Sequence, residues 1–177
     1  MTQRDAERSA VYAVEDQWGQ VLDRGGELDF FGSRIHVPRQ QVFPDLAGIQ
    51  TYVDELLAQL SVGVASMDAI EPVQVRHRRG VTRAHYERQP TPTIAIPIGV
   101  HWAGREVVIL HELAHHLRAG GACGVMLHDA QFRGWLIALA ELALGAEAAL
   151  ILSVGYQGAG LSIVPAVPAA MGGSGNA

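Results

Sequence analysis

His111, Glu112 and His115 stand in an H-E-x-x-H pattern inside the run Leu-His-Glu-Leu-Ala-His-His-Leu at positions 110–117. Two imidazoles four residues apart on a helix project from one face and can hold a single divalent ion. The glutamate between them lies about 100° round the helix from His111 and can lean toward a metal-activated water as its general base. Residues 105–117 contain no proline, and Val107, Val108, Ile109, Leu110, Leu113, Ala114 and Leu117 make the segment apolar nearly all round. That is the pattern of a buried helix. The bland account makes both histidines hydrogen-bonded core residues and Glu112 an ordinary helical one, but a glutamate is almost never buried without a partner.

Catalytic zinc takes three protein ligands and leaves the fourth position open. His128 is the favoured third ligand, because imidazole is a common zinc donor and the preceding stretch, 119–127, carries Gly120, Gly121 and Gly124. Those glycines end the motif helix after Arg118 and let the chain double back. Nine residues can reach up to roughly 30 Å, ample for the return. Asp129 is next door and is the residue able to close the site with a fourth ligand. Glu141 and Glu147, on the following helix, are the remaining donors. His116 points off the His111–His115 face and reads as a solvated or supporting residue. The expected cofactor is Zn2+, although such a donor set also binds copper or nickel tightly. Upstream, His85 and Tyr86 are candidates to donate a hydrogen bond to the oxyanion of a tetrahedral intermediate. They lie within the basic group Arg76, His77, Arg78, Arg79, Arg83 and Arg88, which reads chiefly as a solvated face and alternatively as a local site for an acidic substrate or a nucleic-acid backbone.

The elements that must position these groups follow from periodicity. Residues 5–22 form an amphipathic helix with Val11, Val14, Trp18, Val21 and Leu22 inward, stopped at Arg24-Gly25-Gly26. Short strands are expected at 28–31 and 35–37, and Asp45 caps a second helix over 46–60. Strands at 72–77 and 81–87 flank Arg78-Arg79-Gly80 as a hairpin, and 93–98 is a third β-rich run. Residues 94–98 are the candidate edge for holding an extended peptide by main-chain hydrogen bonds. The stretch 135–154 approaches membrane-span length, but Glu141 and Glu147 interrupt it, so two buried helices divided at Gly145 are expected. The order is α+β, with N-terminal helices, a small antiparallel sheet, the motif helix and closing helices.

A chain of 177 residues with a net charge of −5 is a single domain, expected over 1–163 with a flexible tail over 164–177, and is a poor general nucleic-acid binder. One cysteine, Cys123, excludes an internal disulfide framework and a cysteine-rich zinc ribbon; it reads as a small packing residue. The polar start has no apolar leader segment, which places the protein in the cytoplasm with no membrane attachment.

The stretches Ala84-His85-Tyr86-Glu87, Ile94-Ala95-Ile96-Pro97, the motif helix from Glu106 to Leu117 and His128-Asp129-Ala130-Gln131-Phe132 together resemble an actinobacterial family of HExxH metallohydrolases. Asp29-Phe30-Phe31-Gly32-Ser33 and Tyr52-Val53-Asp54 extend the likeness upstream, so that it covers nearly everything except the tail. The resemblance implies a zincin-like fold with His111, His115 and His128 as ligands and Glu112 catalytic. The His-x-x-x-Phe element also looks like the SprT-like metallopeptidases, with Asp129 where that group has glycine and with its zinc ribbon missing. The expected function is a zinc metallohydrolase, most simply a peptidase acting on a peptide or protein substrate. Two rivals are a non-catalytic protein with a structural or sensory zinc site and a regulatory protease of the ImmA/IrrE type, which would favour Glu141 or Glu147 as third ligand.

Overall fold

The computed structural model describes residues 7–62, 70–119 and 128–166. Five helices and two small sheets share one hydrophobic core: α1 (Arg8–Arg24), β1 (Gly26–Phe30), β2 (Ser33–Val37), α2 (Leu46–Val62), β3 (Gln74–His77), β4 (His85–Glu87), β5 (Thr93–Ile96), α3 (Glu106–Ala119), α4 (Ala130–Leu144) and α5 (Ala146–Gly158). This is a zincin-like α+β arrangement, with the H-E-x-x-H motif on α3. The expectations for Cys123, for most of the glycine-rich return to His128 and for positions 167–177 of the tail lie outside the described residues.

β1 and β2 form an antiparallel hairpin with Phe30 opposite Ser33. The two linking residues, Phe31 and Gly32, both have positive φ (50° and 79°), the requirement of the tight turn that matches strand twist. α2 begins as expected, since Asp45 accepts from the Gly48 N–H at 2.8 Å.

The three-stranded sheet departs from the expected antiparallel hairpin. Its order is β3-β5-β4, with β5 parallel to β3 and antiparallel to β4. Burial explains the order: all four residues of β5 are buried, which suits a strand flanked on both edges, whereas β3 and β4 carry Arg76, His77, His85 and Glu87 and tolerate an edge. Residues 94–96 are therefore central, and β4 is the edge that meets α3.

Three contacts fix the motif helix. At its start the fully buried Glu106 carboxylate accepts from the Tyr52 hydroxyl (2.5 Å) and the Gln41 N–H (2.8 Å), while Gln40 accepts from the Val107 N–H. Those bonds occupy donors next to the helix's positive end and pin α3 to α2 and the 38–45 segment. Along its length α3 packs on α4, and α4 turns into α5 at Gly145, whose φ of 92° suits glycine. α5 closes on α1, where the Trp18 indole donates to the Ala148 carbonyl at 3.0 Å. Among the described residues no helix is long and apolar enough to cross a membrane.

Candidate metal centre

α3 delivers His111 and His115 from one face, as their spacing requires, and His128 enters from the residue pair that precedes α4. Donor atoms of the three imidazoles all lie within 4.8 Å of one another, and all three rings are buried. The Nε2 atoms of His111 and His128 are 3.2 Å apart. Two nitrogens on one tetrahedral zinc, at the usual bond length, stand about 3.4 Å apart, so this pair already has the spacing of two ligands. Nδ1 of His115 is buried with no hydrogen-bond partner among the described residues. Burial, and then the neighbouring imidazoles of His111 and His128, hold the His115 pKa well below its ordinary value. The ring stays neutral, as a metal ligand must. The donor set fits one divalent ion.

Phe132 is the floor of the cluster, with its ring centroid 4.4–5.0 Å from those of His111, His115 and His128. The His-x-x-x-Phe spacing has this purpose: Phe132 lies in the first turn of α4 and comes back beneath the imidazole four residues earlier. Asp129 caps that helix, accepting from the Phe132 N–H at 3.0 Å, and pairs with Arg118 at 2.7 Å. Its carboxylate is thereby engaged away from the imidazoles. Glu141 and Glu147 are exposed on α4 and α5. Neither they nor Asp129 join the metal-capable group, which among the described residues is the three histidines. The structure thus brings His128, rather than Glu141 or Glu147, alongside His111 and His115.

Glu112 is 5% exposed. Burial, set against the opposing pull of His111 and of the Tyr86 N–H, pushes its pKa up to about 7. A carboxyl poised there is suited to take and return a proton near neutrality. The part played by Tyr86 differs from the expected one: its main chain meets Glu112, while its hydroxyl lies 3.1 Å from Nδ1 of His116. His116 is buried, not solvated, and its Nε2 reaches the Glu71 carbonyl at 2.7 Å. The His85 ring is bonded to Glu87 at 2.5 Å. The His85 and Tyr86 side chains are thus engaged with Glu87 and His116 respectively.

Three supporting residues carry no signal in the motif. Glu15, on α1, receives Nδ1 of His111 on one oxygen at 2.6 Å and the Tyr156 hydroxyl on the other at 2.9 Å. This carboxylate orients the His111 ring and leaves Nε2 for the ion. Burial alone would lower the His111 pKa, but the charge of Glu15 and its bond outweigh burial and raise it. Tyr12, one turn earlier, stacks on His111 with centroids 5.3 Å apart and 18° between the planes. Arg133, fully buried, donates to the His128 carbonyl, to Glu7 and to the Ser162 carbonyl, each at 2.7 Å. It fixes the backbone of the third ligand. The following segment stays on α4, where the Val164 N–H donates to the Ala130 carbonyl at 2.9 Å.

A cleft of about 450 Å³ opens against His111 and Glu112. Its walls are the exposed face of α1, the N-terminal half of α3, residues 82–84 and Trp102. A three-histidine cluster able to hold a metal ion, beside a buried glutamate that faces a cleft, is consistent with a metal-dependent hydrolase. Comparisons with protein-family models, curated proteins and solved structures find no match. The assignment to that broad class stands on the donor set and its geometry, and any narrower kinship rests on the motif resemblance alone.

Proposed function

We propose that this protein is a zinc-dependent metallohydrolase, and specifically a peptidase, with Glu112 as general base. The observation that carries the proposal is the adjacency of a buried three-histidine donor set and a buried carboxyl whose pKa is pushed up to about 7, with His111 and Glu112 facing an open cleft. Zinc, when bound, would acidify water and polarise a carbonyl. The chain's own contribution begins with His111, His115 and His128, which hold the ion. Glu112 accepts the proton of the attacking water and hands it to the leaving amine; the Tyr86 N–H keeps its carboxylate aimed while the ionised form persists. Glu15 keeps His111 oriented throughout. Segment 82–84, which leads into the edge strand β4 and lines the cleft, is the main chain beside which an extended peptide would lie.

The test begins with metal content. Protein purified without a histidine tag should carry near one zinc per chain, lost in His128→Ala and retained in Asp129→Ala and Glu141→Ala. On a mixed peptide library read by mass spectrometry, the zinc-loaded wild type should cleave and Glu112→Gln, with zinc still bound, should not. Full activity in the Glu112→Gln protein would refute the assignment of the base, and a protein that folds unchanged in chelator and binds no metal would refute the whole reading.

A further inference from the structure

Charges around the cleft are unequal in what they face. Arg8, Arg83 and Arg105 line it together with Glu15, Asp16 and Glu112. Several of these are engaged elsewhere: Arg105 pairs with Asp23 at 2.7 Å, and Glu15 is held by His111 and Tyr156. Glu112 is needed as base. Arg8 lies over the Tyr12 ring at 5.3 Å and bonds its hydroxyl, contacts that position the guanidinium without neutralising it. Arg78 donates to the Arg83 carbonyl at 2.5 Å, which fixes the loop, and its charge acts on Glu112. Among the described residues, no carboxylate lies within ion-pair distance of Arg8, Arg78 or Arg83. Of these three, Arg8 and Arg83 line the cleft, and against them its wall sets one exposed carboxylate, Asp16. A bound divalent metal would add further positive charge. Between the arginines, Ala84, Trp102, Val107 and Val108 give an apolar wall.

We propose that the cleft selects substrates that carry a carboxylate close to the bond to be cleaved, with Arg83 as its contact and Arg8 and Arg78 supplying the surrounding positive field. The inference rests on the peptidase reading and deepens it. The carboxylate comes either from an acidic side chain or from a free C-terminus, and both present the same planar acceptor to a guanidinium. The cleft volume suits two or three residues of substrate, so the charge sits within one or two residues of the reacting carbonyl. A partly exposed charge-assisted contact is worth about a factor of ten in affinity.

Binding is measured by calorimetry on zinc-loaded Glu112→Gln protein, with short amidated peptides that differ only in Glu against Gln, and with a neutral peptide as free acid against amide. At least one pair should show about tenfold tighter binding of the charged member, weakening as salt is raised. A preference confined to the first pair names the side chain as the source, and one confined to the second names the terminus; either supports the proposal. Arg83→Glu, checked for folding by circular dichroism, should erase or invert the ratio and favour a Lys-containing peptide. Equal affinities within both pairs, no binding of any member at millimolar concentration, or an unchanged ratio in folded Arg83→Glu would overturn it. The wild-type zinc protein is given the same peptides. Cleavage without charge preference refutes this inference and leaves the peptidase standing, whereas charge-selective binding without any cleavage refutes the peptidase and leaves the anion site.

Discussion

Replacing Glu112 by Gln should make the metal-free protein more stable at alkaline pH while abolishing its activity. The reasoning is a proton linkage. The folded state raises the carboxyl to about 7, against an ordinary value of 4.5, chiefly because burial penalises the charge. Between those two values the folded protein binds a proton that the unfolded chain has released, so stability falls as pH rises through this window and stays low above it. At 1.36 kcal/mol per unit, holding the ionised form folded at pH 8 costs roughly 3 kcal/mol, a ceiling that relaxation of the site will lower. Glutamine has the same shape, keeps an oxygen for the Tyr86 N–H and carries no charge. We expect Glu112→Gln to be stabler by about 2 kcal/mol at pH 8, a rise of roughly 4–8 °C in melting temperature for a chain of this size. At pH 5 the folded carboxyl is protonated and the advantage should shrink below about 1 kcal/mol. Thermal denaturation of both proteins in chelator across pH 5–8 reads this directly. A variant no stabler than wild type at pH 8, or one whose advantage does not change with pH, would show that burial does not strain Glu112 and would remove the argument for its poise as a base.

Glu15→Gln keeps an acceptor near His111 but loses the charge that orients the ring and strengthens it as a ligand; zinc affinity, measured by competition with a chromogenic chelator, should fall about 10–100-fold. Arg133→Met leaves the buried His128 carbonyl without the Arg133 donor and takes the partner from Glu7, and should destabilise the fold by about 2–4 kcal/mol in urea denaturation and lower metal occupancy. Asp129→Ala removes a helix cap and the Arg118 partner, for a loss of about 1 kcal/mol. The Asp129 pKa is lowered, since the Arg118 and N-cap bonds outweigh the opposing effect of burial. The wild-type advantage over Asp129→Ala should therefore be complete above the ordinary carboxylate range and vanish as acid titrates the folded-state group, which paired denaturation curves at falling pH will check.

The histidine cluster was legible because its geometry is local or nearly so. His111 and His115 need only helical spacing, and His128 needs only a turn-rich return and a helix start at Asp129. Glu15 was not legible: it lies 96 residues from the histidine it orients, on a helix whose pattern announces Val11, Val14 and Trp18 as its buried face. Nothing in that spacing distinguishes a carboxylate at the edge of the apolar stripe from any solvated one. Arg133 was hidden for a similar reason, since a lone arginine in an apolar helix looks like a surface residue until its acceptors, two of them distant in sequence, are assembled around it. The strand order failed on a different point. Arg78-Arg79-Gly80 is a good turn, and adjacent strands across a turn usually pair; here a fully buried strand, Thr93–Ile96, takes the central place because it alone can be covered on both sides. His116 shows the converse: its spacing correctly takes it off the ligand face, but says nothing of whether that other face meets water or the Tyr86 hydroxyl.

The clamp formed by Arg133 and the carboxylate bridge from Tyr156 to Glu15 bear on when a growing chain could become active. A ribosome delivers residues in order, and elements already made can fold before the rest emerge. All three histidines and Glu112 are translated before Arg133, Ser162 and Tyr156. A nascent chain thus holds every group of the histidine cluster while Tyr156, which holds Glu15 in place, and Arg133, which fixes the backbone of His128, are still unmade. Completion of the centre falls to α5 and the segment behind it, so the clustered histidines are made well before the contacts that hold them in place.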